Sequence, residues 1–376
     1  MRPPAANEPW SLLPFPELVP RRRIAVEMPD RTAPSPAKLR KMAHIDACLN
    51  HPVEFQTRTT GFEAFDLPYV ALPEQDLELV DSSTTFLRKG LRAPLVIGAM
   101  TGGTELSSRI NANLATAAGA LGIGLMLGSQ RVMLDDASCR SSFQVRRHAR
   151  DILLIANLGV GQLGDRDGVE AARTAAEQVD ADALALHANP LQEAIQLGGD
   201  TDFRFALERI RSVATDLPIP LILKEVGHGI GPEVAEAAVA AGVSAIDVAG
   251  AGGTSWARVE EFVRFGEIRH HELVEWGIPT ADALIAVRAK LPTVPLVASG
   301  GIRSGVDAAK AIALGADAVA VALPLLRPAI ESASAVVAWL EDFLWQFRCA
   351  MYCSGAATIG DLTRRRLQPH APRPAG

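Results

Sequence analysis

Val294-Pro295-Leu296-Val297-Ala298-Ser299-Gly300-Gly301-Ile302-Arg303 is the stretch whose reading decides the fold. It opens as a short apolar run and then turns abruptly polar and glycine-rich. A strand covered on both faces, as in a parallel sheet, reads as such an unbroken apolar run. Glycines let the backbone approach a ligand closely. A polar turn leading into a helix start suits an anion. A helical pattern follows over 306–314, and 318–321 is another apolar run.

Working outward, the same unit recurs. Apolar runs lie at 94–98, 124–127, 152–156, 183–186, 220–223 and 245–248, ahead of those at 294–298 and 318–321. Helical patterns fall at 106–121, 169–179, 203–213, 280–290, 306–314 and 329–347, and Pro232 opens a further helix where proline is tolerated. The stretch after the second run reads as polar, with Phe143 and Val145, and the sixth run leads into a long glycine-rich loop. Eight strand–helix units predict an α/β fold, a single (β/α)8 TIM barrel over 93–362. A doubly wound sheet would show fewer units and one glycine fingerprint after its first strand. Here glycine clusters follow several strands. The proline-dense leader 1–36 is expected to be irregular, 37–92 to form an N-terminal segment, and 363–376 a flexible tail.

Composition narrows the function. The chain has 376 residues and a net charge of -6, which disfavours a basic nucleic-acid surface. No apolar run approaches the roughly 20 residues of a membrane helix. There is no secretory signal, and the cysteines form no zinc pattern, so reduced thiols in the cytoplasm are expected.

The chemistry sits after the runs, where barrels build active sites. Ser299 to Arg303 follows the seventh run, a common phosphate position, although an ordinary tight turn with an exposed arginine reads the same way. Lys224 ends an apolar run, and a buried lysine needs an anion or a shifted pKa. It could hold an electron-rich flavin edge, form a Schiff base, or simply pair with Glu225. His187-Ala188-Asn189-Pro190-Leu191-Gln192-Glu193 gathers an imidazole, two carboxamides and a carboxylate. Glu193 suits Mg²⁺ and Gln192 would orient rather than ionise; alternatively the pair only starts a helix. Arg40, Lys41 and His44 lie ahead of the barrel, as a diphosphate clamp or as a solvated basic turn.

With these residues in view, the chain resembles the type 2, FMN-dependent isopentenyl-diphosphate delta-isomerases over about 40–355. The likeness is carried by Arg40-Lys41 with His44-Ile45, Ala99-Met100-Thr101-Gly102-Gly103, Gly128-Ser129-Gln130-Arg131, and His187 to Glu193 with Gln196 and Gly199-Asp200. It continues in Lys224-Glu225-Val226-Gly227, Gly253-Thr254-Ser255-Trp256-Ala257 and Trp276-Gly277-Ile278-Pro279-Thr280. Each motif is weak alone; in this order and spacing they are specific.

The resemblance implies FMN active in its reduced form, Mg²⁺, NADPH as reductant, and interconversion of isopentenyl and dimethylallyl diphosphate in isoprenoid biosynthesis. It also implies a homo-oligomer, a tetramer or octamer. Ala99, Met100, Thr101 and Gly102 would line the flavin. Ser129, Asn157, Lys224 and Thr254 would hydrogen-bond it. Gly301, Ile302 and Arg303, with Ala322 and Leu323, would take its phosphate. Arg40, Lys41, Ser129, Gln130 and Arg131 would hold the substrate with His187 and Asn189. Gln192 would face the substrate as the catalytic side chain, and Glu193 would bind the metal. A reduced flavin offers a proton and an electron-rich ring without net redox change. Two other classes remain: an FMN-dependent 2-hydroxyacid oxidase or dehydrogenase, and a catalytically silent flavin-binding sensor. The first would place a histidine shortly before the glycines after the sixth or seventh run, where this chain has Ala249-Gly250-Ala251.

Overall fold

The structure, a computed structural model, describes residues 35–164, 167–363 and 367–369. The leader through residue 34 and most of the tail lie outside the described residues. Eight parallel strands close into a barrel: β1 Leu95–Ile97, β2 Gly124–Met126, β3 Leu154–Gly159, β4 Ala183–His187, β5 Leu221–Lys224, β6 Ala245–Asp247, β7 Leu296–Ser299 and β8 Ala318–Val321. β8 returns to pair with β1, Val319 opposite Leu95. The expected (β/α)8 barrel is therefore the fold.

Strand periodicity of two divides the side chains. Val96, Met126, Ile155, Ala185, Ile222, Ala245, Val297 and Ala320 form the interior cluster, whereas their strand neighbours Leu125, Leu154, Leu184, Leu223, Ile246 and Val319 pack outward against the helices. β4, β6 and β8 offer only alanines to this cluster. The missing volume is filled from below by a hairpin, Thr84–Phe86 with Lys89–Leu91, whose Phe86 and Leu91 join the interior cluster. Burying a side chain such as Phe86 contributes about 1.5–3 kcal/mol.

The elements depart from expectation in four places. The second unit crosses over by a short helix Arg131–Asp135 and a 3-10 turn Ala137–Ser142. The glycine-rich stretch after β6, expected as a long loop, contains a full helix, Trp256–Phe265. The single helix expected over 329–347 is two, Leu326–Glu331 and Ala333–Cys353. Ser332 is extended between them, and its hydroxyl accepts from Ala335 N–H as an N-cap. The tail is not wholly irregular: Gln368 and Pro369 pair antiparallel with Asp66 and Phe65. Among the described residues no helix is long and apolar enough to cross a membrane.

Three short helices flank the carboxyl face. We label them α1 (Pro36–Asn50), α2 (Pro190–Ile195) and α3 (Trp256–Phe265). α1 lies on α3: His44 meets the Trp256 ring edge-on at 5.2 Å, and His51 stacks on Phe262 at 4.5 Å. Lys38 pins its start by donating to Asp136 Oδ2 at 2.7 Å and Ser138 Oγ at 3.2 Å.

Candidate active site

One step above the interior cluster, the same alternation aims a ring of residues at the carboxyl mouth. From β8, β1 and β2 it presents Ala322, Gly98 and Gly128; from β3 to β7 it presents Asn157, His187, Lys224, Asp247 and Ser299. All eight line one cleft of about 1350 Å³, counting its open mouth. Three of the eight, Gly98, Gly128 and Ala322, bring little or no side chain to the floor, and the other five are polar.

The polar half is tightly ordered. Asn157 Nδ2 donates to Leu127 O at 2.9 Å, so its Oδ1 is the acceptor facing His187 Nδ1 at 2.8 Å. His187 therefore carries its proton on Nδ1 and shows the cleft a bare Nε2. Burial, and then the positive charges of Lys224 and Lys41, push its pKa down to about 3. Lys224 donates to the Glu225 carbonyl. The Glu225 carboxylate turns away to collect the N–H groups of Val226, His228 and Gly227, the last at 2.7 Å, so it staples the loop rather than pairing with Lys224. Asp247 lies opposite Lys224 in the ladder and accepts from Ser299 Oγ at 2.6 Å. Burial pushes its carboxyl above the usual range. Among the described residues no carboxylate comes within ion-pair distance of Lys224.

The glycine loops fit a phosphate. Gly252-Gly253 packs on Gly300-Gly301 so closely that a Cβ on Gly253 would lie 2.3 Å from Gly301 N. Gly301 has φ 76°, the left-handed region. The N–H groups of Gly301 and Ile302 have no partner among the described residues, an unmet need in a protein interior. Arg303 is braced rather than loose: its guanidinium pairs with Glu54 and donates to Ile302 O at 3.1 Å.

At the other rim, Pro190 starts α2 and turns Gln192 and Glu193 inward. The two readings of this pair were not exclusive: the residues begin a helix and also wall the cleft. Gln192 Oε1 accepts from Asn189 at 3.0 Å, and its Nε2 donates to Glu260 Oε1 at 2.8 Å. Glu193, 6% exposed, is held among the described residues by neutral donors alone: Asn189 at 3.0 Å, Gln196 at 3.0 Å and Asp200 N–H at 2.7 Å. A buried carboxylate with no cation beside it is suited to one. From above, α1 lowers Arg40 and Lys41 into the cleft, neither with an ion-pair partner among the described residues. Burial, and then the Arg40 charge, lower the Lys41 pKa to about 8. Arg131 faces them, held by Asp200 at 2.6 Å.

Residues 166–369 match the model of the FMN-dependent dehydrogenase family. A protein of Mycolicibacterium gilvum named isopentenyl-diphosphate delta-isomerase is 56% identical over 335 residues, covering 88% of this chain and 98% of its own length. One of the same name from Deinococcus radiodurans is 51% identical over 327 residues, covering 87% of this chain and 97% of its own. The chain belongs to the isopentenyl-diphosphate delta-isomerase family. Among solved structures it is similar to a mandelate oxidase with (S)-4-hydroxymandelic acid, at TM-score 0.61 and 18% identity, covering 89% of this chain and 98% of that one. A mandelate oxidase variant with a monooxide FMN adduct gives TM-score 0.59 at 20% identity, covering 87% and 92%. These two likenesses speak to the barrel alone.

For an isopentenyl-diphosphate delta-isomerase family member, most expected site residues converge. Arg40, Lys41, Ala99, Met100, Ser129, Arg131, Asn157, His187, Asn189, Gln192, Glu193, Lys224 and Thr254 line the cleft, as do Gly301, Ile302, Arg303, Ala322 and Leu323. Thr101 lines a smaller adjoining hollow beneath α1. Two do not reach the wall. Gln130 is fully buried beneath it: Nε2 donates to Ala175 O at 2.7 Å and Oε1 accepts from Asn157 N–H at 2.8 Å, leaving nothing for a diphosphate. The Phe143 ring fills the space over Gly102, where a Cβ would lie 2.0 Å from it. Sequence reasoning missed two carboxylates. Asp247 was legible by stepping two residues from Ala245. Glu260, 1% exposed on α3, gave no signal, because it stands on a helix hidden in a supposed loop.

Proposed function

We propose that this protein isomerises isopentenyl diphosphate to dimethylallyl diphosphate, using FMN kept reduced and one Mg²⁺. The observation that carries this reading is the charge layout of the cleft: Arg40 and Lys41, with no ion-pair partner among the described residues, stand over a floor that also holds the Glu193 carboxylate, with no cation beside it among those residues. The names of relatives at 51–56% identity support the substrate. FMN would be held by the Gly301 and Ile302 N–H groups and Arg303 at its phosphate, and by Lys224 at its electron-rich edge, over the small residues Gly98, Gly128 and Ala322. When bound and reduced, it supplies acid–base chemistry and an electron-rich surface for moving a double bond.

The chain's own residues supply position and charge. Arg40, Lys41 and Arg131 neutralise the diphosphate, with Arg131 contributing a guanidinium fork. Glu193 would hold Mg²⁺; no three His, Cys, Asp or Glu side chains converge among the described residues, a sparse protein donor set that would suit a metal taking its other oxygens from substrate and water. Gln192, fixed between Asn189 and Glu260, cannot ionise and orients the reacting end. α1 covers one side of the cleft with Ala37, Arg40, Lys41 and His44, and displacement of water there by substrate would strengthen the electrostatic contacts beneath it. The reading extends to NADPH as reductant, a homo-oligomer and a cytoplasmic place in isoprenoid biosynthesis; four free cysteines suit a reducing compartment.

The test is anaerobic turnover. FMN-loaded protein with Mg²⁺ and isopentenyl diphosphate is expected to form product, followed by NMR, once dithionite or sub-stoichiometric NADPH is added, and to stop on re-oxidation. NADPH consumed in step with product would mark a reductase and overturn the reading.

A further inference from the structure

Gly199 and Asp200 close the turn after α2, and their arrangement exceeds what loop closure requires. Gly199 has no room for a side chain: a Cβ would lie 2.1 Å from Glu193 O and 2.8 Å from Glu193 Oε2. The chain is thereby folded onto the first turn of α2, where Asp200 N–H donates to Glu193 Oε2 at 2.7 Å. The Asp200 side chain points the other way. Its Oδ2 takes Arg131 Nη1 at 2.6 Å and Gln162 Nε2 at 3.1 Å. Gly161 packs its Cα against the Asp200 Cβ, at 3.1 Å from where a Cβ of its own would stand. Glu193 and Arg131 both line the cleft, and Asp200 does not.

One residue thus joins the carboxylate suited to a cation and the guanidinium suited to a diphosphate, through its backbone on one side and its side chain on the other. We propose that Asp200 is a positioning residue that couples cation occupancy at Glu193 to the grip of Arg131 on a diphosphate. The proposal rests on the function given above. A cation drawing on Glu193 moves the oxygen to which Asp200 N–H is bonded, and the displacement passes along a short, braced segment to Arg131. Asp200 engages Nη1 and Asp135 stands 3.9 Å from Nε, so Nη2 stays available for phosphate oxygens. Neutralising Glu193 also lowers the negative charge beside Asp200, which favours a second anion in the cleft.

The experiment is calorimetric titration of FMN-loaded, full-length protein with inorganic pyrophosphate, with and without Mg²⁺. Mg²⁺ is expected to raise pyrophosphate affinity in the parent and to lose that effect in Glu193→Gln. Asp200→Ala is expected to cut the enhancement about fivefold, the size of a direct pairwise coupling. Arg131→Lys should do the same, and the double variant should lose no more than either. Asp200→Asn keeps the backbone donor and the side-chain volume, so it serves if the alanine variant does not fold; it should fall between parent and alanine. FMN retention and Tm should stay at parent values, which separates coupling from collapse of the loop. Parent-level enhancement in Asp200→Ala would overturn the proposal. If the parent itself shows no enhancement, both the metal assignment and the proposal fall. If enhancement depends on Asp200 but isopentenyl diphosphate is not turned over, the coupling stands and the substrate assignment falls.

Discussion

Asn157 Oδ1 and His187 Nδ1 lie 2.8 Å apart across neighbouring strands, and this one contact decides which nitrogen of the histidine faces the cleft. Asn157 cannot rotate to offer its amide, because Leu127 O already takes that group at 2.9 Å. The imidazole is thus an acceptor at Nε2, neutral from about pH 3 upward. ¹⁵N NMR of the ring should show a single tautomer with bare Nε2 at pH 7. Asn157→Ala should give a mixture, and leaving the buried Nδ1 unpaired should lower stability by about 1–3 kcal/mol, read from denaturant midpoints.

The same shift makes stability depend on pH. The unfolded ring takes up a proton near its ordinary value of 6.5, while the folded ring resists until about 3. The unfolded state therefore binds more protons between these values, and stability is lost as pH falls through that window. Between pH 7 and 5 the loss from this residue is roughly 2 kcal/mol. His187→Gln should flatten that part of the profile; an unchanged slope would mean that the ring is protonated in the fold.

If Lys41 holds the diphosphate as proposed, it should set an upper pH limit on substrate capture. Its pKa of about 8, lowered by burial and then by Arg40, means that the ammonium discharges as pH rises through that value. KM for the diphosphate should climb above pH 8 by up to roughly tenfold per unit, with kcat less affected. Lys41→Arg should remove this limb, because a guanidinium stays charged. A flat KM from pH 7 to 9.5 in the parent would contradict the assignment.

Arg303 should discriminate cofactors by their phosphate. Arg303→Ala should weaken FMN binding by about 1.5–3 kcal/mol, or about ten- to a hundredfold, and leave riboflavin unchanged. Fluorescence titration with the two ligands makes the comparison. Equal losses for both would place Arg303 in holding the Glu54 segment rather than the phosphate.

Gln130 should behave as structure. Because both ends of its amide are spent on Ala175 and Asn157, Gln130→Ala should lower Tm and chemical stability by about 1–3 kcal/mol, while KM stays near the parent value. A large KM effect in a variant with parent stability would restore it to the diphosphate site.

The sequence by itself determined the barrel, its eight strands and the level at which chemistry gathers. Parallel strands covered on both faces must be short and apolar, and the first polar residue beyond each run, such as Asn157, His187 or Lys224, has to lie at the carboxyl face. It also carried the family, through motifs on those tips. Only the tertiary structure decided direction. Gln130 and Arg131 are neighbours in the chain, yet one turns under the wall and the other into the cleft. Gly102 reads as a flavin contact, yet its missing side chain makes room for Phe143. α3 does carry a short apolar stripe, Trp256, Val259, Phe262 and Val263, which packs with Ala47 and Val53, yet it also buries Arg258, Glu260 and Glu261. Buried charges become legible only when their partners are in place, and those of Glu260 and Glu261, namely Gln192, His44 and His270, come from α2, α1 and the chain beyond α3.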